Sequence, residues 1–175
     1  MSRIIEVLDY QRHWPELFEA EKALLLAVLG DGVITIEHIG STSVPGLAAK
    51  PIIDILVEVD SLAALDAKSS QLQRLGYRAR GEHGIAGRRY FQKGGEQRSH
   101  HLHAFQSGSA QLTAHRAFRD YLIAHPQMAG EYGRLKQHIA KKGQNDSEAY
   151  MALKADFMVE TLALALGWYA ANSSR

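Results

Sequence analysis

The stretch from Ile36 to Val59, IEHIGSTSVPGLAAKPIIDILVEV, decides how this chain is read. An apolar run ends in Gly40-Ser41. A loop of small residues and Pro follows, and a second apolar run carries one acid near its start, Asp54. Gly40 has no Cβ, so the backbone there can lie close to a ligand. The turn's N–H groups, with the hydroxyls of Ser41, Thr42 and Ser43, form a candidate anion nest, and phosphate is its natural guest. A carboxylate in an apolar strand is costly unless it is paired or metal-bound. Asp54 therefore reads either as the partner of an Arg or backbone turn, or as a ligand of Mg²⁺ or Mn²⁺ facing the Gly-Ser turn. The stretch is not a P-loop, because Gly46 is followed by Leu47-Ala48 rather than Lys-Ser/Thr. It is not a dinucleotide fingerprint either.

Working outward, Val33 to Ile39 is rich in β-branched residues and predicts a strand. Pro51 to Val59 predicts a second, with Pro51 at its start, where a missing donor is tolerated. Before them, Trp14 to Leu29 predicts a helix. Pro15 suits its first turn, and Leu17, Phe18, Glu21, Leu24, Leu25 and Val28 space out one buried face. After them, Ser61 caps a predicted helix to about Leu75, ended by Gly76. Tyr77 to Arg80 predicts a short strand. Arg88 to Lys93 and His100 to Gln106 predict two more, with Gly94-Gly95 between them suiting a hairpin. Helices then fill the rest: 110–124 capped by Ser109, a break at His125-Pro126, 127–142 ended at Gly143, and a last helix capped by Asp146 or Ser147 and running to about Tyr169. Strands early and helices late predict α+β, a small mixed sheet with helices packed on one side and a helical C-terminal third.

The 175 residues fit one domain, 1–175. The 46% hydrophobic and 22% charged fractions are those of an ordinary globule. A net charge of +1 sets up no field that would gather nucleic acid. There is no Cys, which excludes a disulfide framework, thiolate catalysis and Cys-ligated zinc, and fits a cytoplasmic location. No signal-peptide core and no run long enough to span a membrane is expected.

A Gly-Ser turn followed about a dozen residues later by an acid in a strand resembles the signature of the nucleotidyltransferase superfamily, the polymerase-β-like fold. The whole chain is similar to the GrpB family. IEHIGSTSVPGLAAKPIIDI is followed in order by Gly76-Tyr77, Gly87-Arg88, Tyr90-Phe91, His101-Leu102-His103, Phe118 to Leu122, His125-Pro126, Tyr132 to Lys136 and Tyr150 to Phe157. The resemblance implies a small nucleotidyltransferase-type fold. The family also occurs fused to dephospho-CoA kinase, which implies a link to coenzyme A metabolism.

The superfamily's second metal-binding acid is expected two residues after the first. Here that position is Leu56. Glu58 lies on the same face, but four residues along a strand is about 13 Å, too far to share an ion with Asp54. Of Glu37 and His38, at most one faces the site, because neighbours on a strand point to opposite faces. His101 and His103 share a face, and His100 points away from them. His103 or His101 is therefore expected to complete a metal shell, to act as a base or to bind phosphate. A His pair beside Asp54 favours Mn²⁺, Zn²⁺ or Fe²⁺ over Mg²⁺.

The expected catalytic and metal-binding residues are thus Asp54, His103 and His101. The expected phosphate contacts are Gly40, Ser41, Ser43, Lys50, Arg88, Lys136 and Lys154. The expected activity is transfer of a nucleotidyl group from an NTP to a small acceptor, with a divalent metal as cofactor. Two alternatives stand beside it. One is a binding module for nucleotides or phosphorylated metabolites that lacks turnover, motivated by Leu56. The other is a phosphoesterase built on Asp54 and the His pair.

Overall fold

The computed structural model describes residues 6–142 and 147–173, and at 142 and 147–151 the helical backbone alone. The predicted helix end at Gly143 and cap at Asp146 lie outside these residues. Five strands form one sheet in the order β1-β2-β5-β4-β3. They are β1 (Val33–Ile39), β2 (Ile53–Val59), β3 (Tyr77–Ala79), β4 (Arg88–Lys93) and β5 (His100–Gln106). The central pair, β2 and β5, is parallel and every other pair is antiparallel. The sheet is mixed, as expected for this α+β class. Strand β2 starts at Ile53 rather than Pro51. The Ile52 N–H turns back to the Lys50 carbonyl at 2.8 Å, and outward pairing starts with Ile53 N–H to the Ser99 carbonyl at 2.9 Å.

The helices are α1 (Trp14–Leu29), α2 (Leu62–Asp66), α3 (Ser69–Arg74), α4 (Ala110–Ala124), α5 (Pro126–Lys142) and α6 (Ser147–Ser173). The predicted single helix after Ser61 is two. Ser61 does cap the first, accepting from Ala64 N–H at 3.2 Å. The chain re-aims between them, and Leu65 and Leu72, one on each piece, both reach the core. The buried stripe of α1 is also narrower than predicted: Trp14, Phe18, Glu21, Leu25 and Leu29. Leu17 and Leu24 are exposed. α1 packs on the sheet, α3 and the Gly-Ser turn along this one line, so only the residues on that side are covered.

Alternation along β2 divides the molecule. Ile53, Ile55, Val57 and Val59 face α1 and α3 and form the main core with Trp14, Phe18, Leu25 and Leu72. Burying each such side chain contributes about 1.5–3 kcal/mol. Asp54, Leu56 and Glu58 face the other way. There α4 covers one end of the sheet: Leu112 packs on Leu56, Ile39 and Phe105. Arg116 ties α4 to β1 and β2, donating to Glu37 and to Glu58, each at 2.7 Å. Arg119 adds a bond to Glu37 at 3.1 Å. α5 lies on the Gly-Ser loop, where Val44 and Leu47 meet Ala129, Tyr132 and Leu122. Gly133 permits this approach, since a Cβ there would sit 3.3 Å from Leu47 Cδ1. Among the described residues no helix is long and apolar enough to cross a membrane.

Candidate functional site

The site lies where β1 ends, β2 begins and β5 runs alongside. Gly40 ends β1 with φ +73° and ψ −173°, a region essentially reserved for glycine. A Cβ there would fall 2.5 Å from Asp54 Oδ2, so this glycine lets the turn lie directly on the carboxylate. Ser43 locks the turn by donating its hydroxyl to the Gly40 carbonyl at 2.5 Å. That single proton is spent, so Ser43 shapes the turn. Ser41 is a hydrogen-bond partner of the Tyr132 hydroxyl on α5.

The sheet register sets the other wall. Asp54 lies beside Ile39 on β1 and His101 on β5, and Leu56 lies beside His103. His103 Nε2 is 3.1 Å and His101 Nδ1 3.4 Å from Asp54 Oδ1. The expected shared face of His101 and His103 is therefore observed. His100 points the other way, towards Glu21 at 3.6 Å on the α1 side. Burial works to raise the Asp54 pKa, but the bonds from His101 and His103 outweigh it and hold the carboxyl below the usual range.

Arg88 supports His103 from behind. Its Nη1 is 3.4 Å from His103 Nδ1. Its other nitrogens hold the loop before β4, with Nη2 donating to the His83 carbonyl at 2.7 Å and Nε to the Glu82 carbonyl at 3.1 Å. The guanidinium also lies 4.7 Å from the centre of the Tyr90 ring. Arg88 is thus largely committed within the protein. Arg89, on the opposite face, pairs with Asp66.

Three lysines gather on this side of the turn without ion-pair contact to Asp54, α6 being held against α5 by Phe157 stacked on Tyr132 at 5.1 Å. Lys50 follows the Gly-Ser loop, Lys136 lies on α5 and Lys154 on α6. Lys136 is buried, with its ammonium 4.5 Å from the centre of the Tyr132 ring. Burial first, then repulsion from Lys154 and Lys50, lowers its pKa to about 7, against the pull of Asp54. Lys154 is lowered by burial and by Lys50, again against Asp54. The predicted basic residues therefore split: Lys50, Lys136 and Lys154 converge, and Arg88 serves His103 and its loop.

His115 on α4 carried no sequence signal. Its ring is 5.5 Å from that of His103, and its Nε2 is buried without a partner. Burial, with the charges of His103 and Arg88, lowers its pKa to about 4. Leu56 is on the expected face but fully covered. Glu58 bonds Arg116 and the Ser107 hydroxyl, and Glu37 bonds Arg116 and Arg119, so neither acid serves the site. His38 faces α1, stacked on Phe18 at 4.9 Å.

A metal held by Asp54, His101 and His103 does not fit these donors. Arg88 can only donate, so His103 Nδ1 accepts and the ring proton is assigned to Nε2, facing Asp54. A metal-ligating His instead donates from its far nitrogen to an acceptor. Switching the tautomer would set N–H against N–H at Arg88. Among the described residues, no group of three or more His, Cys, Asp or Glu is arranged to hold an ion.

A separate cavity of about 260 Å³, lined by Leu29, Val33, Val59, Leu65 and neighbours, lies at the opposite end of β2 and holds none of these groups.

Comparison with known proteins gives the family and the fold. The family described as GrpB protein matches residues 4–163. The UPF0157 protein YqkA of Bacillus subtilis is 45% identical over 157 residues, 90% of this chain and 46% of YqkA. The chain thus spans about half the length of that relative. The crystal structure of the conserved protein GrpB from Enterococcus faecalis superposes with a TM-score of 0.88 at 41% identity, covering 94% of this chain and 99% of that one. Cid1 poly(U) polymerase, solved with MgGTP bound, superposes with a TM-score of 0.54 at 16% identity over 81% of this chain and 46% of its own, a likeness of fold. With the match along most of its sequence and the shared fold, the chain belongs to the GrpB family.

Proposed function

We propose that this site binds a nucleoside triphosphate and transfers its nucleotidyl group to a small acceptor. The observation that carries the reading is the grouping of Lys50, Lys136 and Lys154 beside the glycine turn and Asp54, with Lys136 buried over the ring of Tyr132, the hydrogen-bond partner of Ser41. Three ammonium groups against one carboxylate leave an excess of positive charge where a polyphosphate would lie. Lys50, Lys136 and Lys154 would hold the leaving phosphates, and the turn at Gly40-Ser41 would seat the phosphate being attacked. Asp54, kept ionised by two imidazole donors, would accept a hydrogen bond from the acceptor hydroxyl and align its oxygen. The new bond joins that oxygen to the α-phosphorus. The bond to the β-phosphate oxygen breaks, its electron pair leaves with pyrophosphate, and the hydroxyl proton passes by Asp54 to solvent.

Leu56 favours a second reading, a nucleotide or phosphometabolite-binding module without turnover, because the usual second acid is replaced by a covered side chain. Incubation with each NTP and a pool of small metabolites separates the two. Pyrophosphate release that Asp54→Asn abolishes supports transfer. Saturable NTP binding with no pyrophosphate supports the binding module. The phosphoesterase alternative needs the Asp–His pair to hold a metal, and the His103 proton facing Asp54 opposes it.

A further inference from the structure

We infer that the anion subsite is metal-independent: Lys50, Lys136 and Lys154 hold a diphosphate group directly, in the place where two-metal transferases hold it through ions. This rests on the reading of the site as a nucleotide phosphate site, and it contradicts the metal requirement expected for the scaffold.

Four observations carry it. The position of the second metal-binding acid is Leu56, sealed beneath Ile39, Phe105 and Leu112. The other acids of this face, Glu37 and Glu58, are consumed by Arg116 and Arg119. Asp54 already bonds His103 and lies 3.4 Å from His101 Nδ1, and Arg88 fixes the tautomer of His103 so that it presents a proton rather than a lone pair. In their stead stand lysines from three elements. Among the described residues no carboxylate lies within ion-pair distance of Lys136 or Lys154, and Lys136 is buried. A buried ammonium without a counter-ion is unfavourable, and the charge of half-buried Lys154 adds to the cost. An anion carrying at least two charges relieves both at once. A divalent ion brought with the ligand would add charge to a site already positive.

The experiment uses the full chain and two probes, inorganic pyrophosphate and ATP, titrated by calorimetry in EDTA and again with Mg²⁺ or Mn²⁺. Both probes are expected to bind in EDTA, with less than about threefold gain from either metal. Lys136→Gln and Lys154→Gln, each checked for an unchanged circular dichroism spectrum, should weaken pyrophosphate at least tenfold. Affinity should fall steeply with salt. Asp54→Asn is the sharpest variant, because the two views predict opposite signs: removing a carboxylate beside the lysines should leave binding unchanged or tighten it, whereas loss of a metal ligand should abolish it. Binding seen only with metal, and lost in Asp54→Asn, overturns metal independence and leaves the nucleotide reading standing. Binding in EDTA that ignores both lysine variants overturns the lysine subsite. Absence of binding under every condition overturns both. Tight binding in EDTA with no pyrophosphate release from any NTP supports the subsite and removes the transfer reaction.

Discussion

Replacing Gly40 by Ala tests the contact on which the site is built. The new methyl meets two costs. Gly40 has φ +73° and ψ −173°, a conformation that costs a non-glycine residue about 1–3 kcal/mol. The methyl would also lie 2.5 Å from Asp54 Oδ2, 2.9 Å from its Cβ and 3.0 Å from its Cγ. Those atoms must move, and forcing atoms into a packed region costs a further ~1–3 kcal/mol. The expected total is about 4 kcal/mol, or roughly 8–16 °C in Tm for a domain of this size. Gly46 is the internal control. Its φ is +81°, but a Cβ there meets nothing within 4 Å, so Gly46→Ala should show backbone strain alone, about 1–2 kcal/mol. The assay is urea unfolding of both variants, with Gly40→Ala repeated in an Asp54→Ala background. Removing the carboxylate should recover about 1–2 kcal/mol of the Gly40→Ala loss as a coupling energy. If Gly40→Ala costs no more than Gly46→Ala, or the coupling is near zero, the turn is not pressed on Asp54 and the site as described is wrong.

Leu56→Asp should abolish folding, because it empties a covered leucine position, costing about 2–5 kcal/mol, and buries a carboxylate with no partner. A folded Leu56→Asp protein with Mg²⁺ affinity would place Leu56 in the open site, and circular dichroism decides this first. Raising pH should stabilise the free protein above neutrality: unfolded Lys136 keeps its proton to about 10.5 and folded Lys136 releases it near 7, so the unfolded state binds more protons in that window. Tm should therefore climb from pH 7 to 9, and Lys136→Gln should flatten the climb; an unchanged slope refutes the buried ammonium. On the acid side, burial lowers His38 and His115 from 6.5 to about 4, so both contribute stability above pH 6.5 that is lost as pH falls to 4. His115→Gln should make that fall shallower in a pH series of urea midpoints. Finally, ¹⁵N spectra should show the His103 ring proton on Nε2, and a proton on Nδ1 would remove the Arg88 argument against a metal.

Local patterns carried far in this chain because they follow from chemistry within a few residues. Alternation alone put His101 and His103 on one face and His100 on the other, and it ranged Asp54, Leu56 and Glu58 along a single side of β2. The bounds of β1, β4 and β5, the cap at Ser109 and the break before Pro126 all rest on residue types whose backbone preferences are strong. The family resemblance rested on motifs spread in order along the whole length.

Alternation says which face a side chain points to, and nothing about what covers that face. Leu56 shares the side of Asp54, and only the arrival of Leu112 on α4 and of Phe105 makes it core rather than site. Serine-rich turns predict donors, but only the folded turn shows that Ser43 spends its proton on Gly40. Arg88 and the lysines carry the same charge in sequence. The tertiary structure separates them, because Arg88 is wrapped by its own loop and Lys50, Lys136 and Lys154 are carried on elements that fold against the Gly-Ser turn. His115 drew no attention for the same reason: its environment is made by β5, not by its neighbours on α4. The stretch from Ile36 to Val59 by itself determined two strands, the glycine turn between them and the carboxylate at the centre. Apart from Lys50, the groups round it lie 47 to 100 residues further along the chain (His101 to Lys154), and only packing at that separation decides whether Asp54 faces metal ions or ammonium groups.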